Sequence, residues 1–311
     1  MATSGSYDFS VNCQEIIKGA LRLIGAIATG ETPSAAELSD GKEALNMMIK
    51  AWQAEGIGLW LNREATLFLE YAERSYNLGP TGDHCSVAVV KTEMKVAAAS
   101  GAGTIDVDSI TGISDGDYVG IELDDGTLQW TTVNGAPAGD TVTLTAGLTD
   151  DAAVDNHVYT YTSKIPRPIE VIEARRVYAD DTEVPLQDVS RAEYMALSNK
   201  TSAGPPIQVY YDPQLTNGVL YVWQACDDVQ ERIRMTVKLP VEDFDANTDD
   251  ADFPPEWLRA LKFNLAVEIA PEYGKEPSNT VIVKAAETKD AVSGFDREQT
   301  SVFFLPDLGR G

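Results

Sequence analysis

Apolar residues recur three and four positions apart at both ends of the chain and two positions apart in its middle. Ile16, Ala20, Leu23, Ile24 and Ile27 predict a helix over residues 11–28, and Ile17 and Leu21 widen its apolar stripe enough for more than one neighbour. Leu45, Met48, Ile49 and Trp52 predict a second helix ending at Gly56. Its start is marked by Pro33 and by Ser34 with Glu37, the spacing of a capping box. Gly56 and Gly58 then make a corner into an apolar, extended stretch from Leu59 to Leu69. Near the other end, Leu258, Leu261, Leu265 and Ile269 predict a strong helix after Pro254-Pro255, closed by Pro271 and Gly274. A weaker one follows Pro277-Ser278, carrying Val281, Ala285 and Val292.

Between these ends the period is two. Ile233, Met235, Val237 and Leu239 alternate with polar neighbours and should face inward from one strand. Residues 207–211 and 219–223 read as a hairpin closed near Asn217-Gly218, and Asp188 to Asn199 as a short helix with Tyr194 and Leu197. From Val96 to Ser163 there is no Lys or Arg, against eleven Asp and Glu. Alternation in 104–108 and 141–145, with Asp-Gly and Asn-Gly turns at 115, 125 and 134, makes this a small all-β module inserted into another domain.

The fold expected is therefore α+β: a four-helix bundle with associated antiparallel strands, interrupted by a small all-β domain. Residues 1–83 would supply the helical hairpin and first strand, 84–165 the insertion, 166–299 the remaining strands and C-terminal helices, and 300–311 a tail.

Charge narrows the function. With 24 basic and 49 acidic residues the chain carries −25, the reverse of a protein that grips DNA phosphates. Either the acidic surface simply keeps the chain in solution or it repels nucleic acid while guiding it. No apolar run approaches the roughly 20 residues of a membrane span, and the first residues lack a signal-peptide pattern, so a cytosolic origin is expected. Cys13, Cys85 and Cys226 are far apart and odd in number, which argues for free thiols and against a zinc site or disulfide framework.

Candidate chemistry is sparse. The two histidines, His84 and His157, fit no Ser-His-Asp or HExxH arrangement and read as loop residues at the edges of the module. Nucleotide-cradling glycine motifs do not occur. Asp124-Asp125 and Asp150-Asp151 lack EF-hand spacing and read as solvated turns rather than calcium ligands. Trp52, Trp60, Trp223 and Trp257 sit in apolar patterns that point to core packing, while Trp130 reads as half-exposed. No catalytic, metal-binding or cofactor-binding residue is assigned, and no cofactor is expected. The informative segment is the tail, where Val302, Phe303, Phe304, Leu305 and Leu308 either pack back on their own domain or dock on a partner.

The order of several motifs carries a resemblance. Gly30-Glu-Thr-Pro-Ser-Ala35, Ala44-Leu-Asn-Met-Met48 with Trp52, Ser75-Tyr-Asn-Leu-Gly-Pro80, Arg167-Pro-Ile-Glu-Val171 and Pro206 to Tyr211 come first. Asp252-Phe-Pro-Pro-Glu-Trp257 and Leu265 to Gly274 complete the series. Taken in order they resemble the head-to-tail adaptor proteins of short-tailed bacteriophages, also called tail accessory or packaged-DNA stabilisation proteins. The likeness spans most of the chain outside residues 84–165.

The resemblance implies a structural, non-catalytic protein of the virion, assembled in the host cytoplasm into a twelve-subunit ring beneath the portal. Such a ring extends the DNA channel, helps retain packaged DNA and offers the tail nozzle or fibres a docking surface. Duplex DNA would pass without sequence-specific binding, and no membrane is involved. Portal binding is carried onto Val302, Phe303, Phe304 and Leu305, with Leu308 and Arg310 as lesser candidates. The alternatives are a virion-associated peptidoglycan hydrolase, or a carbohydrate-binding β module on a helical scaffold.

Overall fold

Asn12 opens the first helix, its side chain accepting from the Glu15 amide at 3.0 Å. This α1 (Cys13–Leu23) is shorter than the apolar pattern suggested. Helix α2 (Ala35–Ala54) begins with the capping box read from the sequence: Ser34 Oγ accepts from the Glu37 amide at 3.3 Å, and Glu37 Oε2 accepts from the Ser34 amide at 2.7 Å. Gly56, at φ +87°, turns the chain out of it. A computed structural model describes residue 5 and residues 9–56 and 58–295.

The chain divides into two compact units, residues 1–60 with 241–311 and residues 61–240. The first is helical. Besides α1 and α2 it holds α4 (Leu258–Ile269) and α5 (Asn279–Phe295), while α3 (Arg191–Ala196) belongs to the second unit. Helix α4 is the hub on which α1, α2 and α5 pack. Its buried residues include Leu258, Leu261, Leu265 and Ile269 on one side and Ala260 on the other, so it is covered from more than one direction. Trp257, just ahead of α4, meets Trp52 and Trp60 with ring centroids 5.9 and 5.2 Å away.

The second unit is β throughout, apart from α3. Its strands, in chain order, begin with β1 (Asn62–Phe68), β2 (Ser75–Leu78), β3 (Cys85–Ser86), β4 (Val90–Glu93) and β5 (Thr104–Asp106). Then come β6 (Tyr118–Glu122), β7 (Leu128–Thr132), β8 (Thr141–Thr143), β9 (His157–Tyr161) and β10 (Glu170–Val177). The last are β11 (Glu183–Pro185), β12 (Gln187–Asp188), β13 (Gln208–Asp212), β14 (Gly218–Trp223) and β15 (Arg232–Lys238).

A five-stranded sheet, β11-β10-β15-β1-β3, and a four-stranded one, β12-β13-β14-β2, enclose a core of Leu67, Tyr76, Leu78, Val209, Leu220, Val222, Ile233, Met235 and Val237. The alternation of β15 thus points Ile233, Met235 and Val237 inward, with Leu239 packed at the edge of that core. A second four-stranded sheet, β4-β9-β6-β7, and the pair β5-β8 share a separate core that includes Met94, Val107, Val119, Ile121, Val142 and Val158. Phe68, Tyr159 and Tyr161 form a smaller cluster with Trp130 and Tyr118 against it. On the outer face of the large sheet, Arg175 pairs with Glu64 at 2.8 Å and Glu183 at 3.1 Å, and Arg234 also reaches Glu183. These pairs join neighbouring strands β1, β10, β11 and β15.

One expectation is overturned. A four-helix adaptor bundle with accessory strands does not describe this fold: among the described residues fifteen strands in four sheets outweigh five short helices, and the architecture is mainly β. Helical periodicity needs a long window and so weighs heavily in a sequence, whereas strands of two to five residues between turns leave little pattern. Strands β3 and β12 are two residues each. Leu59–Leu61, read as extended, is a 3-10 turn leading into β1.

Candidate docking groove of the helical unit

Helix α1 buries Ile16, Ile17, Ala20 and Leu21, which leaves Lys18 and Arg22, one turn apart, on another face. On α4, burial of Leu258 and Leu261 likewise leaves Arg259 and Lys262 on the side toward α1. The two pairs meet across a groove of about 650 Å³, lined also by Phe9, Val11, Gln14, Glu15, Ile16, Gly19 and Leu258. Gly19 makes the close approach possible, because a Cβ there would stand 2.7 Å from Lys262 Cδ. The lysine stem therefore lies across α1, with its ammonium 5.3 Å from the centre of the Phe263 ring. Arg259 stands 5.7 Å from the same ring.

Three other lysines of the helical unit are engaged by carboxylates. Elsewhere in the helical unit Lys50 pairs with Asp243 at 2.7 Å, Lys289 with Glu55 at 2.8 Å and Lys284 with Glu287 at 2.6 Å. Among the described residues Lys18, Arg22, Arg259 and Lys262 form no salt bridge, and Glu15 is the sole carboxylate lining the groove. Phe9 stands at its mouth, 69% exposed. Cations held along an apolar cleft without a salt bridge are suited to receive an anionic or acidic guest. Sequence reading missed this because the balance of the whole chain is so acidic. The one-turn spacing of Lys18 and Arg22 was visible, but their meeting with residues some 240 positions later was not.

The residues singled out from the sequence fall elsewhere. Val302, Phe303, Phe304, Leu305, Leu308 and Arg310 lie outside the described residues. His84 is half-buried against Trp130 and Tyr161, and His157 Nδ1 lies 3.5 Å from Glu93. Asp124 Oδ1 accepts from the Ala153 amide and the Asn156 side chain, and Asp125 Oδ1 accepts from Thr127, so both are engaged in turn bonds. Asp150 and Asp151 likewise accept backbone amides. Among the described residues no group of three or more His, Cys, Asp or Glu side chains is placed to hold a metal ion, and no helix is long and apolar enough to cross a membrane.

Compared with known proteins, the chain matches no family model and no curated sequence. Among solved structures it is similar to the Gp54 tailspike of Acinetobacter baumannii bacteriophage AP22 in complex with A. baumannii capsular saccharide, at 14% identity and a TM-score of 0.21. The match covers 24% of this chain and 14% of that one, so the chain spans a small part of the tailspike's length, and a likeness at that level carries neither fold nor function across.

Proposed function

We propose that this chain is a structural, non-catalytic subunit of a bacteriophage virion. It acts at the head-to-tail junction, where copies form a twelve-subunit ring beneath the portal, extend the DNA channel and give the tail nozzle or fibres a surface to dock on. The observation that carries this reading is the ordered motif series, which falls on the elements that build the two units. Gly30 to Ala35 is the loop and cap between α1 and α2, and Ala44 to Trp52 lies on α2. Asp252 to Trp257 leads into α4, Leu265 to Gly274 closes it, and Ser75 to Leu78 and Gln208 to Tyr211 sit on strands of the larger β core.

Apolar residues left open on the helical unit support a docking role: Met47 on α2 and Ile282 and Val283 on α5 are 58%, 45% and 52% exposed. The segment with Val302, Phe303, Phe304 and Leu305 follows α5 in the sequence and is assigned to the portal. The net charge of −25 gives duplex DNA few places to adhere while it passes.

The test is electron microscopy and pull-down of the chain with its portal. A twelve-fold ring on the portal is expected, with net acidic residues lining its bore. Removal of residues 300–311 should abolish portal binding and leave the circular dichroism spectrum intact. Unchanged binding, or a bore lined by Lys and Arg, rejects the reading.

A further inference from the structure

The groove between α1 and α4 concentrates unpaired positive charge in a chain of net charge −25. The complementary feature lies on the same unit. Residues 242–252 form a loop on which Glu242, Asp243, Asp245, Asp250 and Asp252 are exposed. That loop is held firmly. Asp249 and Asn247 carbonyls accept from the Cys13 and Gln14 amides at 2.9 Å each, and Asn46 Oδ1 accepts from the Phe244 amide at 3.0 Å. Lys42 Nζ donates to the Asp245 carbonyl at 2.6 Å, and Asp249 Oδ2 caps the Asp245 and Ala246 amides at 2.9 and 2.6 Å. Phe244 and Val241 are buried beneath it. The loop's carboxylates are therefore presented on a fixed backbone, so little conformational entropy is lost when they meet a partner.

Loop and groove do not serve each other within one chain. The loop is fastened to the first residues of α1 and to α2, and none of its acids lines the groove. Each copy therefore carries one acidic projection and one basic cleft on different elements of the same unit. We propose that the α1/α4 groove receives the acidic loop 242–252 of a second copy of this chain. Lys18, Arg22, Arg259 and Lys262 face the partner's carboxylates, and the aliphatic stem of Lys262 lines the seat. Such a contact is heterologous: each copy gives its loop to one neighbour and takes the loop of another, so the series closes into a ring or runs on as a filament. Ring closure rests on the function proposed above; the pairwise contact does not, and it is read without the portal.

The experiment is sedimentation velocity on the full chain and two variants. The groove variant is Lys18→Glu, Arg22→Glu, Arg259→Glu and Lys262→Glu; the loop variant is Glu242→Lys, Asp245→Lys and Asp250→Lys. The unaltered chain is expected to self-associate with rising concentration, and each variant alone to associate at least about tenfold more weakly. An equimolar mixture of the variants restores one native groove opposite one native loop, so it should associate more strongly than either variant alone. Circular dichroism checks folding, and Gln and Asn replacements at the same positions stand in for any reversal that fails to fold. An unaltered chain that stays monomeric overturns the proposal. So does a groove variant that associates normally, a variant mixture that stays monomeric, or a native groove that retains duplex DNA in place of the loop. Portal binding without self-association would spare the proposed function and reject this contact; self-association without portal binding would do the reverse.

Discussion

His84 lies flat on Trp130, the two ring centroids 3.9 Å apart and the planes within 5°. Its Nδ1 is 2.5 Å from the Tyr161 hydroxyl. Burial pushes the Tyr161 phenol far above its ordinary range, so it keeps its proton beside the ring nitrogen. Burial, with Lys164 nearby, pushes the His84 imidazole down from about 6.5 to about 4. In the folded chain the ring is therefore neutral where an unfolded chain would protonate it. The stability linked to it is present above about pH 6.5 and is lost as the pH falls toward about 4. Urea midpoints measured across that window should fall more steeply for the native chain than for His84→Phe, which keeps the stacked ring and removes the proton site. Parallel curves would refute this account.

A second pair tests burial of charge. Arg176, on β10, and Glu231, just before β15, are 6% and 5% exposed, with Nε and Oε1 3.7 Å apart. The guanidinium also lies 4.7 Å from the centre of the Tyr178 ring and donates to the Pro206 carbonyl at 3.3 Å. Burial raises the Glu231 carboxyl above its usual range even with the arginine in place. Removing one partner strands the other, so Arg176→Met should cost about 3–5 kcal/mol at neutral pH. A carboxyl whose folded pKa is raised contributes stability below its unfolded value and loses it as pH rises. The penalty should therefore shrink in acid. Replacing both, as Arg176→Met with Glu231→Leu, should recover much of the loss. Equal costs for the single and double variants in urea titrations would contradict this.

How far the sequence reaches shows in particular residues. The capping box of Ser34 and Glu37 depends on residues three apart, and the inward face of β15 on residues two apart; both were legible because the physics is local. The convergence of Trp52 and Trp60 with Trp257 joins positions roughly 200 apart, and periodicity marks each as apolar without naming its neighbour. The same limit hid the groove, where the Lys262 stem crosses α1 at Gly19, a residue without a side chain. It also hid the dominance of sheet. Two-residue β3 pairs with β1 through Thr66–Ser86 and Leu67–Cys85, a ladder defined by its partner rather than by its own pattern.

Gly19 and Gly41 make a matched pair of close approaches with opposite outcomes. A Cβ at Gly41, on α2, would stand 2.6 Å from Ile17 Cγ2, and Ile17 is fully buried on α1. That methyl has nowhere to go, so Gly41→Ala should destabilise by about 1–3 kcal/mol through overpacking. At Gly19 the obstacle is the flexible Lys262 stem, which can swing away while the helix gains about 1 kcal/mol of propensity. Gly19→Ala should therefore be neutral or slightly stabilising in thermal melts. A loss at Gly19 as large as at Gly41 would refute the contrast.

The three thiols give a separate reading of each unit. Cys13, Cys85 and Cys226 are free and fully buried. Cys13 opens α1, where a helix N-terminus ordinarily favours the thiolate, yet burial outweighs that and pushes it up to about 11. Burial also raises Cys85, and it pushes Cys226 up to about 12 although its Sγ donates to the Asp228 carbonyl at 3.0 Å. A thiol reagent at about pH 8 therefore finds neither access nor thiolate in the native chain. All three should react at once in concentrated guanidinium and none promptly without it. Slow native labelling would then follow opening of the surrounding structure. Cys13 reports the helical unit, while Cys85 and Cys226 report the β unit. Gly41→Ala should accelerate Cys13 alone and Arg176→Met should accelerate Cys85 and Cys226 alone, as followed by mass spectrometry of the labelled peptides. If both substitutions accelerated all three thiols equally, the two units would open together rather than separately.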